Sequence, residues 1–375
     1  MGAVTGYASS FALVLAGAHA VGADPGQAAS GLFVVTVGQG VLAIVVSLAL
    51  RLPISIAWST PAAAVLVGAS GITGDYSAAV GAFVVTGLLL AVTGLWPWLA
   101  RTMTRIPPPI ASAMLAGILF PICLSPVFAA VQLPLLALPA ILVWLVLARF
   151  APRWAVPAAV LATAVAVVVA AGPDWADGVS LAPHLELVAP SFDPLVVIAL
   201  AIPLYLVTMA GQNIPGFTVL RSYGYEPPAR TVLTVTGLGS TVFSVFGAQT
   251  INLSALSAAI MVGDEHTPKD RRWIATVTAG TVYVLLGLGA GVAGALVTAS
   301  PPILIESVAG LALIGALTTA VVGALAEPEG RVVAVGTFLV VASGVAIAGL
   351  GSAFWGLVVG AVLWLVLRVG RRAAA

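Results

Sequence analysis

Charge is scarce in this sequence. Of 375 residues, Lys and Arg supply 14 and Asp and Glu 13, so that only 7% are charged, against about 25% in an ordinary soluble domain. With 61% of residues hydrophobic, water cannot be the main solvent of the folded chain. Cysteine is nearly absent. The one thiol, Cys123, lies in an apolar stretch, which excludes an internal disulfide and a multi-cysteine metal site. The three histidines, His19, His184 and His266, are scattered and do not make the clustered His, Cys and carboxylate site that a membrane enzyme needs. No Walker A pattern supplies the phosphate loop of a primary pump. No cofactor, metal or nucleic-acid partner is expected; the partner the composition demands is a lipid bilayer.

What is abundant is the long apolar run. A helical span needs roughly 20 apolar residues, and runs of that kind fall near 4–21, 28–50, 54–69, 77–99, 109–124, 133–148, 155–171, 194–213, 231–246, 248–262, 273–297, 303–325, 332–350 and 355–369. The first lacks a basic n-region and a clean small-residue cleavage site, so it reads as a retained span. Fourteen spans place every basic residue on one side: Arg51, Arg101, Arg105, Arg149, Arg153, Arg221, Arg230, Lys269, Arg271, Arg272, Arg331, Arg368, Arg371 and Arg372. The other side collects Asp24, Asp75, Asp174, Asp177, Glu186 and Asp193. The positive-inside rule then puts both termini in the cytoplasm. Twelve spans follow instead if two short segments fuse with their neighbours.

The halves of the chain resemble each other. An offset of 195 positions brings Ser59 onto Ser254, Gly68 onto Gly263, Asp75 onto Asp270, Thr86 onto Thr281 and Gly94 onto Gly289. An offset of 193 brings Pro108-Pro109-Ile110 onto Pro301-Pro302-Ile303. Chance alignment of Ala- and Gly-rich spans is the alternative; the matched aspartate and Pro-Pro pair argue against it. Residues 1–186 and 187–375 would each hold seven spans. Because seven is odd, the copies would be related by a two-fold axis in the membrane plane.

The third and tenth segments are broken in the same way. Pro53-Ile54-Ser55-Ile56-Ala57-Trp58 alternates like a strand, then Ser59-Thr60-Pro61 offers an N-cap and an N-terminal proline to the run 62–67. Gln249-Thr250-Ile251-Asn252-Leu253 is again strand-like, and Ser254 can cap the run 255–262. Paired, short, polar segments in corresponding positions mark a transporter's binding site. With opposite directions, both half-helices present their N-termini to mid-bilayer, a site for an anion that needs no buried Lys or Arg.

These residues carry a family resemblance over nearly the whole chain. The runs Ile54-Ser55-Ile56-Ala57-Trp58-Ser59-Thr60-Pro61, Gly211-Gln212-Asn213-Ile214-Pro215-Gly216 and Phe246-Gly247-Ala248-Gln249-Thr250-Ile251-Asn252-Leu253 resemble the benzoate/proton symporter family of bacterial inner membranes. That family is similar in turn to the uracil-transporter fold. The resemblance implies an all-α integral membrane protein of fourteen spans in two inverted seven-span repeats, with short β-strands in spans three and ten. It implies a core (1–99 and 193–298) and a gate (108–172 and 301–370), with the ligand between them. It nominates Trp58, Ser59, Thr60, Gln212, Asn213, Asn252, Leu253 and Ser254 for substrate binding. Nucleobase members of the fold carry a carboxylate where Gln212 stands, which argues for a different ligand here. An aromatic carboxylate such as benzoate, taken up with a proton, is the implied cargo. A nucleobase or other small anion, or a passive channel, is the alternative, and a homodimer is left open.

Each polar residue also has a plainer reading. Gln212 and Asn213 can serve as hydrogen-bonding struts beside an expected break at Ile214-Pro215-Gly216, and Trp58 can pack instead of stacking on a ring. His19, near a span end, and Glu306, inside span twelve, are the candidates for proton coupling; interfacial placement and snorkelling are their ordinary alternatives. The cluster Asp264, Glu265, His266, Lys269, Asp270, Arg271 and Arg272 reads as a cytoplasmic loop, with Asp270 placed to cap span eleven.

Overall fold

The computed structural model describes residues 2–8, 10–71, 74–96, 98, 107–172, 175–176, 180–263, 267–347 and 349–374. Arg101, Arg105, Asp174, Asp177, Asp264, Glu265 and His266 lie outside them. The chain runs α1 (Gly2–Ala8), α2 (Phe11–Ala20), α3 (Pro25–Leu50), β1 (Ile56–Trp58), α4 (Thr60–Val67), α5 (Tyr76–Leu95), α6 (Pro108–Gln132), α7 (Pro134–Phe150) and α8 (Pro152–Ala171). It continues with α9 (Pro194–Ser222), then α10 (Ala229–Ser244), β2 (Ile251–Leu253), α11 (Ala255–Val262), α12 (Trp273–Gly287), α13 (Ala290–Thr298), α14 (Pro302–Leu325), α15 (Arg331–Ala342) and α16 (Ser352–Ala374). Among the described residues, six helices are long and apolar enough to cross a membrane. A seventh is added if the pair Lys269–Gly287 and Ala290–Thr298, bent by 53°, counts as one span. The protein is therefore a mostly helical, multi-pass membrane protein.

Several boundaries depart from the sequence expectation, each for a local reason. The first run is two helices, Gly2–Ala8 and Phe11–Ala20, with Ser10 in the turn before the second and its hydroxyl bonded back to the Gly6 carbonyl (3.1 Å). The break expected at Ile214-Pro215-Gly216 does not occur: α9 continues to Ser222. Instead it widens into π turns at Val197–Ala201 and Met209–Asn213. Each π turn ends two residues before a proline, Pro203 or Pro215, and the wider turn absorbs the missing N–H and the clash of the ring with the preceding turn. The run 332–350 is helical only over Arg331–Ala342, since Gly344 takes a φ of 65°, the left-handed conformation that ends helices. Asp270 does not cap span eleven; it sits in the 3-10 turn Lys269–Arg271, and Arg272 occupies the N-cap of α12 without a side-chain cap. Asp75 does cap α5, and hydrogen bonds from the Ser77 hydroxyl and N–H hold its carboxyl below the usual carboxylate range.

Small residues set the helix pairing. The most extensive contacts are α6 with α14, α5 with α10 and α3 with α12. A methyl group added at Gly40 would stand 2.6 Å from the Gly280 carbonyl oxygen, and one at Gly87 would stand 2.6 Å from the Thr241 nitrogen. Backbones approach this closely where van der Waals packing, and not water exclusion, drives association.

β1 and β2 form a two-stranded antiparallel sheet in the register Ile56↔Leu253, Ala57↔Asn252 and Trp58↔Ile251. Ser59 N–H donates to the Thr250 carbonyl (3.0 Å) and Ser254 N–H to the Ser55 carbonyl (2.9 Å), so the ladder runs on into both helix caps. An open strand edge is not tolerated in hydrocarbon, and side chains from neighbouring helices close these edges. The Gln39 amide oxygen of α3 accepts from Trp58 N–H. The Ser240 hydroxyl of α10 accepts from Ile251 N–H (2.8 Å), and the Asn213 amide oxygen of α9 accepts from Leu253 N–H (3.0 Å).

Candidate functional site

Both half-helices start at the sheet. Ser59 caps α4 by accepting from Ala62 N–H (3.2 Å), and Ser254 caps α11 by accepting from Ser257 N–H (3.3 Å). Such caps contribute about 1 kcal/mol each. The two caps stand at opposite ends of the ladder, yet the first turns of both helices face one cavity of about 720 Å3, which Thr60 and Pro61 line from α4 and Ser254, Ala255 and Ser257 from α11. Each helix leaves N–H groups without an intrahelical partner at its first turn, with partial positive charge. Among the described residues, no Lys, Arg, Asp, Glu or His lines this cavity. Its electrostatic character therefore comes from backbone dipoles and neutral amides and hydroxyls.

The nominated residues divide between wall and support. Trp58, Thr60, Gln212 and Ser254 line the cavity. The Gln212 amide oxygen lies 3.4 Å from Ala255 N, at the first turn of α11. The Trp58 indole N–H donates to the Ser10 hydroxyl (2.9 Å), and its ring packs against Tyr7 at 5.6 Å between centroids. Ser59, Asn213, Asn252 and Leu253 are not wall residues. All four have no measurable exposure: Ser59 caps α4 and accepts from the Thr208 hydroxyl (2.9 Å), while the Asn252 amide donates to the Leu253 carbonyl (3.0 Å). Asn213 holds the β2 edge instead. Its replacement by leucine strands the buried Leu253 N–H and is expected to cost about 1–3 kcal/mol. That would appear as a lower melting temperature.

The two proton candidates lie away from the cavity. The His19 Nδ1 is 3.0 Å from the Ala23 carbonyl oxygen at the end of α2. A Glu306 carboxylate oxygen accepts from the Ser125 hydroxyl (3.1 Å), across the contact between α14 and α6.

Six polar wall groups, those of Ser10, Gln39, Ser112, Ser257, Tyr283 and Thr319, escaped the sequence reading. Gln39 was legible as a lone amide deep in a 26-residue apolar helix; it both lines the cavity and closes the β1 edge. Ser10 and Tyr283 also reach the wall, and nothing in their local sequence separates them from ordinary span residues. The opposite side of the cavity is largely apolar, with Leu115 and Leu119 from α6 and Leu313 from α14, and carries two hydroxyls, those of Ser112 and Thr319.

A neutral, partly aromatic chamber thus lies between two half-helix starts, and the sequence comparisons concern the whole chain. The family of the benzoate membrane transport protein matches residues 1–366. The chain belongs to that family. The family takes its name from a transport protein, and this member is a membrane transporter. It is 38% identical over 369 residues to the inner membrane protein YdcO of Escherichia coli strain K12, covering 97% of this chain and 93% of that one. It is 33% identical over 342 residues to the benzoate membrane transport protein of Acinetobacter baylyi, covering 90% of this chain and 86% of that one. In architecture this benzoate-family chain is similar to the transmembrane domain of the cyanobacterial bicarbonate transporter BicA, with a TM-score of 0.59 over 96% of each chain at 15% identity. That likeness shows a shared fold.

Proposed function

We propose that the protein takes up benzoate or a similar aromatic carboxylate across the inner membrane together with a proton. The observation that carries this reading is the cavity: two half-helix N-termini and the Gln212 amide on one side, a largely apolar wall on the other and, among the described residues, no charged side chain in its lining. A carboxylate meets the N–H groups of the first turns, and its ring lies against Trp58 and Leu115. Co-moving a proton offsets the charge of the anion, so that the membrane potential does not oppose entry. His19 and Glu306 are the proton-site candidates. Neither borders the cavity, so either would couple through closure of the site and not through contact with the ligand.

The architecture behind this is fourteen spans in two inverted halves, 1–186 and 187–375, with core and gate groups and both termini in the cytoplasm. Support comes from pairing: corresponding segments β1 and β2 join antiparallel, and the central pair Ala57↔Asn252 unites two positions that the 195-residue offset makes equivalent. A two-fold axis between them relates the halves. In that orientation, the wall residues Ser112 and Thr319 belong to the cytoplasmic halves of α6 and α14, and the conformer is the inward-open one.

The test is accumulation of radiolabelled benzoate in proteoliposomes under an imposed proton gradient, several-fold above the collapsed-gradient control. Flux indifferent to the gradient would remove the coupling. A small inorganic anion is the second reading, favoured by the fold shared with a bicarbonate transporter; accumulation of radiolabelled bicarbonate that unlabelled benzoate does not reduce would select it.

A further inference from the structure

We infer that the α14 wall around Gly315 is the size filter of this cavity, and that it admits aryl carboxylates with a second fused ring opposite the carboxylate. The inference rests on the aromatic-carboxylate reading above and extends it to a class of substrate.

Size comes first. An apolar cavity of about 150 Å3 suffices to hold a benzene ring, and the chamber here has about 720 Å3. A single-ring acid leaves most of it unfilled. The spare room is distributed unevenly. On the half-helix side the wall carries Trp58, Gln39 and Gln212; on the α14 side Leu313 and Thr319 are joined by the small residues Ala312, Gly315, Ala316 and Ala320.

The three glycines of α14 show that this thin wall is not a packing requirement. A methyl group at Gly310 would fall against the Ile122 carbonyl and the Pro126 ring, and one at Gly323 would meet the Ser112 hydroxyl at 3.0 Å. Those two let α6 and α14 approach. At Gly315 the same methyl group meets nothing within 4 Å, and the position is helical, so no left-handed backbone calls for glycine. Glycine inside a helix is unfavourable relative to alanine. A residue that is neither required by packing nor favoured by conformation, and that borders the cavity, leaves space for a guest.

The experiment uses the purified full-length protein in detergent, with benzoate and naphthoate as probes and calorimetric binding as the readout. The wild type is expected to bind naphthoate within about tenfold of benzoate, and Gly315→Leu to keep benzoate within about threefold while losing naphthoate by about tenfold or more. Ala316→Phe narrows the same wall from the next residue and is expected to discriminate in the same direction, which covers the case in which the leucine variant does not fold. Benzoate binding without naphthoate binding in the wild type overturns the filter and leaves the aromatic-carboxylate reading standing. Equal weakening of both acids in the two variants overturns it as well. If the wild type binds neither acid, the aromatic-carboxylate reading fails and the filter fails with it.

Discussion

Replacing Gly237 by valine is expected to abolish recovery of folded transporter. The position sits where α10 crosses α5, and any side chain there runs into the backbone of Ala91 and, at 2.7 Å, the Gly87 carbonyl oxygen. The facing positions are equally tight: a methyl group at Gly94 would stand 2.8 Å from the Thr234 nitrogen. Overpacking a core against side chains costs about 1–3 kcal/mol because they can turn aside. Backbone cannot, so the helices must separate along their length, and with them Ser240, which closes the β2 edge from α10. Size-exclusion chromatography should show loss of the monodisperse peak for Gly237→Val and a weaker effect for Gly237→Ala. A valine variant that elutes and melts like the wild type would mean that the two backbones do not touch.

Gln212→Glu is expected to leave the fold intact and to lose carboxylate binding. The glutamate keeps an oxygen near Ala255 N–H, and an anion at a helix N-terminus is favourable. It also places a fixed negative charge where the substrate's own carboxylate is proposed to sit. Two unit charges about 4 Å apart at an effective dielectric constant near 20 repel by about 4 kcal/mol, and even half of that weakens binding by more than about tenfold. Calorimetry at neutral pH, beside a melting curve, checks both halves of the expectation. Unchanged affinity at neutral pH would place the substrate carboxylate elsewhere in the cavity.

The parts of this protein that were legible in its sequence are those written in local chemistry. Ser59-Thr60-Pro61 and Ser254 mark the starts of two half-helices because capping is decided within four residues, and the strands before them announce themselves by alternation. What the sequence withheld is phase and partnership. Gln212 and Asn213 are neighbours, and successive helical residues point in different directions; only the π turn at Met209–Asn213 decides that Gln212 faces the cavity and Asn213 the strand edge. Asn252 is polar and central, yet it lies beneath the wall. Pro215 signalled a break but produced a widened turn, since the same missing N–H can be accommodated either way. Gln39 was visible as an amide in hydrocarbon, but its function depends on Trp58, which reaches it only through the fold. The openness of Gly315 is a property of what does not touch it, and no sequence pattern records that.

The sheet at the centre has a consequence for biogenesis. Its two strands come from opposite halves of the chain, and each is only three residues long. When β1 enters the bilayer its hydrogen-bonding mate has not yet been translated, and bare peptide groups in lipid are costly. The early half must therefore wait in an unfinished form, with Gln39 covering one amide, until the late half arrives. The sheet closes as a keystone once β2 arrives, and the transport chamber is completed later still, when α14 adds its wall.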